Sequence, residues 1–92
     1  VSDIQWIDAA GDYMCVHALD GMHIMRKTMK ELEQELNPQL FVRVHRSAIA
    51  NIRYVKKLVS HISGEYHLIL NNDTELKVSR SHRDKVKAAM KM

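Results

Sequence analysis

From Phe41 the chain reads Phe41-Val42-Arg43-Val44-His45-Arg46-Ser47, a run whose apolar and polar side chains alternate and so lie on opposite faces of an extended strand. Further along, Lys77-Val78-Ser79-Arg80 repeats the arrangement. Both runs end in Arg plus Ser, where a guanidinium fork and a hydroxyl can meet a phosphate oxygen or the edge of a guanine. A chain carrying two such ends is constrained to be largely β, with its chemistry at turns.

The other segments agree. Ile4–Ala9 and Tyr13–Ala18 are extended and separated by Ala10-Gly11-Asp12, which predicts a hairpin. Asp20-Gly21 turns the chain into a third strand at Met22–Arg26. Thr28-Met29-Lys30-Glu31 has the form of a capping box, so a helix is expected from Met29 to Leu36, with Leu32 and Leu36 on one face and Asn37-Pro38 ending it. Beyond Phe41–His45, Ala48–Ala50 continues extended and Asn51–Tyr54 makes a tight turn or one helical turn. Val55–Ile62, Tyr66–Leu70 and Glu75–Ser79 are then predicted as strands, joined at Ser63-Gly64 and at Asn71-Asn72-Asp73. Ser81-His82-Arg83-Asp84 looks like a second capping box, opening a helix through Met90. The expected architecture is mainly β with two short helices, antiparallel throughout.

Ninety-two residues suit one domain with a modest core, and no repeat or linker divides 1–92. No apolar run approaches the roughly 18 residues of a membrane-spanning helix. The single cysteine, Cys15, cannot staple the chain to itself, and a reducing cytoplasm is the expected compartment. Net charge is +3, unevenly spread. Residues 1–22 hold Asp3, Asp8, Asp12 and Asp20 without a base; Arg43, Arg46, Arg53, Lys56 and Lys57 form an acid-free block, and Arg80, Arg83, Lys85, Lys87 and Lys91 face only Asp84. Two basic blocks that converge on Arg/Ser turns point to a polyanion partner.

Along nearly its whole length the sequence resembles the LytTR family, the DNA-binding output domain of bacterial LytR/AlgR-type response regulators. The residues that carry the likeness are Ile4-Gln5-Trp6-Ile7-Asp8-Ala9 with Gly11-Asp12-Tyr13, Asp20-Gly21, Leu32 to Leu36, the Phe41–Ser47 run, Asn51 and Val78-Ser79-Arg80. The resemblance implies an elongated antiparallel β-sheet or sandwich in place of a helix-turn-helix. Loops at the sheet edges would enter two successive major grooves of duplex DNA, using the Asp12-Tyr13 loop, the His45-Arg46-Ser47 turn and the Ser79-Arg80 turn. It further implies a two-component transcription regulator with a receiver domain elsewhere in the full-length protein, and dimeric binding to direct repeats. Arg46 and Arg80 are the expected guanine readers, Ser47, Ser79 and His45 the expected phosphate or register contacts, and Lys56 a sequence-independent phosphate contact. Three departures from the family pattern stand out. The chain begins almost at the first motif, predicting an unpaired sheet edge there; Asn72-Asp73 lacks a turn glycine; and Ala48 and Ala50 are small.

Other chemistries fit less well. Of six histidines, none forms a helical i,i+4 pair and no carboxylate cluster completes a ligand set in sequence, so no metal or other cofactor is expected. Ser47 beside His45 lacks an orienting acid, and Gly11, Gly21 and Gly64 form no phosphate-cradling loop, so catalysis is not expected. Cys15 reads as a small buried hydrophobe in acidic surroundings that disfavour thiolate, and Trp6 and Phe41 read as core. The alternative function is a protein-interaction or RNA-binding β module, in which the basic blocks only solubilise.

Overall fold

In the computed structural model, which describes residues 3–91, alternation decides the strands and turn residues decide where they stop. The elements are β1 (Ile4–Ala10), β2 (Tyr13–Ala18), β3 (Gly21–Met25), α1 (Met29–Glu35), β4 (Phe41–His45), β5 (Ala48–Asn51), a 3-10 turn (Ile52–Tyr54), β6 (Val55–Ser60), β7 (Tyr66–Leu70), β8 (Glu75–Val78), a second 3-10 turn (Arg80–His82) and α2 (Arg83–Ala89). They form two antiparallel sheets, one of five strands ordered β3-β2-β1-β5-β4 and one of three ordered β6-β7-β8. The molecule measures 36 × 23 × 22 Å along its principal axes.

Each face of the larger sheet is buried by a different layer. Ile7, Val16, Phe41 and Ile49 pack on Met29 and Leu32 of α1. The opposite face sets Val42, Val44, Ala48 and Ala50 against Leu68, Leu70 and Val78 of the smaller sheet and Val86 of α2. Ala48 and Ala50 are themselves buried, so these short side chains sit in the packed layer between the two sheets. Asn51 is fully buried yet satisfied: its amide nitrogen donates to the Ile4 carbonyl at 2.8 Å, and its oxygen accepts from the Arg53 amide at 3.0 Å.

Four expectations need correction. β1 is no open edge, since it pairs with β2 on one side and β5 on the other. The second capping box does not form: His82 occupies the cap of α2 with no side-chain cap bond, and the Ser81 hydroxyl lies against the His82 ring at 3.2 Å instead. The first box does form, with Thr28 Oγ1 accepting from the Glu31 amide at 3.1 Å and Glu31 accepting from the Thr28 amide at 2.9 Å. Strand β6 stops at Ser60, leaving Ile62 fully exposed in the hairpin that follows. Trp6 is half-buried and stacks face to face on His17, ring centroids 3.8 Å apart, whereas Phe41 is core as expected. In the turn without glycine, Asp73 takes a φ of 70°, and the Asn72 side chain accepts from the Thr74 amide at 3.0 Å.

Candidate nucleic-acid interface

The three expected contact turns converge on one end of the molecule through two backbone bonds. The hairpin between β1 and β2 lies beside the β4–β5 turn because the Ala9 amide donates to the Ser47 carbonyl at 2.9 Å. The smaller sheet is fastened to the same turn by the Ser79 amide, which donates to the Val44 carbonyl at 2.8 Å. Tyr13, His45-Arg46-Ser47 and Ser79-Arg80 thus sit side by side, and His45, Ser79 and Arg80 line one shallow groove with Lys77 and Arg83. Arg46 and Arg80 are exposed, and among the described residues neither guanidinium has a hydrogen-bond or ion-pair partner.

Around these two free guanidinium groups, other side chains are occupied in holding the turns. Arg43 donates to the His45 carbonyl at 3.2 Å and the Arg46 carbonyl at 2.6 Å while its other terminal nitrogen pairs with Glu33 of α1 at 2.7 Å. Sequence reasoning missed this role; the signal available was an Arg placed in the strand just ahead of the turn. His45 Nδ1 accepts from the Ser47 amide at 3.3 Å and lies 3.0 Å from Ser47 Oγ, which assigns the ring proton to Nε2 and makes the serine hydroxyl donate inward. Ser79 Oγ is 2.6 Å from His82 Nδ1, and that imidazole is held below the usual histidine range chiefly by burial, then by Arg43 and Lys85.

Arg83 was also missed. It donates to the Gly64 carbonyl at 2.8 Å and lies over the Tyr66 ring at 4.4 Å, yet its Nε is buried without a partner. Tyr13 is 46% exposed, with Arg26 over its ring at 5.7 Å. Lys56 stands apart. It pairs with Asp73 at 2.9 Å, at the end of the smaller sheet away from Ser79 and roughly 17 Å from it by strand rise, and that hydrogen bond holds the Asp73 carboxyl below the usual carboxylate range. Cys15 is a free thiol, half-buried on a strand interior to the larger sheet. The expectation that no carboxylate completes a histidine set is corrected by the fold, which brings His61, His67 and Glu75 together.

Residues 1–91 match the family described as the LytTr DNA-binding domain. The chain belongs to the LytTR DNA-binding domain family. Its fold is that of a solved LytTr DNA-binding domain from Bacillus cereus, with a TM-score of 0.90 over 99% of this chain and 84% of the other at 22% identity. Among curated relatives, the chain is 29% identical over 75 residues to the transcriptional regulatory protein LytR of Staphylococcus aureus, covering 82% of this chain and 30% of that protein. It is 26% identical over 92 residues to the sensory transduction protein LytT of Bacillus cereus, covering all of this chain and 37% of the relative. The LytTR domain thus spans about a third of these relatives. No helix among its described residues is long and apolar enough to cross a membrane.

Proposed function

We infer that this LytTR domain binds duplex DNA sequence-specifically through the end formed by its three turns, as the output domain of a cytoplasmic two-component transcription regulator. The observation that carries the reading is the pair of unengaged guanidinium groups, Arg46 and Arg80, on turns locked together by the Ser79–Val44 backbone bond. A bidentate fork onto guanine O6 and N7 needs a free guanidinium on a rigid support, and both conditions are met.

The free-state hydrogen bonds refine the division of labour. Ser47 donates inward to His45, so it braces the turn, and the proton on His45 Nε2 becomes the donor for phosphate. Arg83 lines the groove beside Arg80 and adds positive charge to it. Tyr13 contributes from the first hairpin, where Asp12 opposes phosphate. Lys56 acts at the far end of the smaller sheet as a peripheral phosphate contact. In the regulator a receiver domain controls pairing of two copies on direct repeats. Tyr13, Tyr54 and Tyr66 lie on separate elements, which disfavours an RNA-stacking sheet face.

The test is selection of bound fragments from random duplex DNA, repeated with Arg46→Ala and Arg80→Ala. A shared motif that loses information at a different position in each variant supports the reading. Enrichment of no motif overturns it.

A further inference from the structure

The outward face of the smaller sheet holds a group that DNA binding does not use. Strand register places His67 of β7 and Glu75 of β8 on the side away from Leu68 and Leu76, and His61 reaches the same side from the β6–β7 hairpin. His67 Nδ1 lies 2.6 Å from Glu75 Oε2, and His61 Nε2 lies 3.6 Å from the same oxygen. The two imidazoles meet edge to face with centroids 4.3 Å apart. One ligand atom from each of the three side chains falls within 4.8 Å of the other two.

We propose that His61, His67 and Glu75 form a binding site for a divalent transition-metal ion of the zinc, nickel or copper type. Two imidazoles and one carboxylate are the donor set such ions take, whereas calcium and magnesium require oxygen. Around zinc, nitrogen and oxygen ligands at roughly 2.0 Å stand about 3.3 Å from one another in a tetrahedron, so the His67–Glu75 pair at 2.6 Å must open slightly and His61 must draw in. His61 can do so, since it sits beyond the end of β6 with its side chain 44% exposed. On the other side of the His67 ring, the Glu65 carboxylate lies 3.5 Å from Nε2 and 3.4 Å from the Lys77 ammonium, so Glu65 orients the imidazole from outside the site. A bound ion would take the place of the direct His67–Glu75 contact. It would also tie the β6–β7 hairpin to β8, the strand that delivers Ser79 and Arg80.

The experiment is calorimetric titration of the untagged chain with zinc chloride at neutral pH, paralleled by the histidine ring signals in NMR. Expected is saturable binding of one zinc per chain, with the His61 and His67 signals shifting and those of His23 unmoved. His61→Ala, His67→Ala and Glu75→Gln should each weaken binding by about tenfold or more, while His23→Ala leaves it unchanged. His61 and Glu75 are exposed and their substitution leaves the core intact, so loss of folding in His67→Ala would not decide the matter. Absence of saturable binding, or binding insensitive to His61→Ala and Glu75→Gln, overturns the site.

Discussion

Arg46 and Arg80 differ from their basic neighbours in being unspent. Arg43, Lys56 and Arg83 already hold carbonyls or a carboxylate, whereas these two guanidinium groups remain available to a ligand. Arg46→Ala and Arg80→Ala should each cost roughly 1–3 kcal/mol in affinity for the selected duplex and relax preference at one position. Lys56→Ala should have a smaller effect, equal on all sequences; competition binding against single-position operator variants separates the two behaviours, and identical profiles would remove the base-reading role. His82 makes a second residue-scale prediction. Burial keeps its folded-state affinity for a proton below that of the unfolded chain, whose imidazole titrates near 6.5. Its stabilising contribution is therefore whole above about 6.5 and is lost as pH falls below that value. Denaturant unfolding at neutral and mildly acidic pH should show a steeper loss in the parent than in His82→Asn, which retains an acceptor for Ser79; parallel losses would place the titration elsewhere.

At the scale of elements, rigidity comes from a few side chains that satisfy buried or turn backbone. Asn51 links β5 to β1 and to the first 3-10 turn from a fully buried position, so Asn51→Ala should destabilise the fold by about 1–3 kcal/mol in chemical unfolding. Arg43→Met should lower DNA affinity although Arg43 itself touches no base, because the His45 and Arg46 carbonyls lose their clamp. Unchanged affinity there would show that the turn holds its shape unaided. Legibility in the sequence also divides along elements. Alternation revealed the strands, and Thr28 with Glu31 revealed α1, because both signals are local. Ser81 and Asp84 misled, since the same spacing was taken by a 3-10 turn whose serine prefers a histidine. The clamp by Arg43 is a side-chain conformation that alternation does not specify, and the meeting of His61, His67 and Glu75 depends on register between separate strands, which periodicity does not encode.

For the molecule as a whole, the two sheets and α2 share one core, and that core fixes the spacing between the Arg46 and Arg80 turns. The motif order in sequence indicated which turns carry function; that all three emerge at one end followed only from β1 lying between β2 and β5 and from the Ser79–Val44 bond. With net charge of only +3, affinity must come from local basic side chains meeting phosphates, not from the overall field. The measurement that tests this most directly is the dissociation constant for the selected duplex across a series of salt concentrations, beside a scrambled duplex and a single strand. The account predicts a steep linear loss of log affinity with log salt, about 0.9 per phosphate neutralised, with the selected duplex tightest throughout. An affinity flat in salt, or one equal for all three nucleic acids, would contradict it.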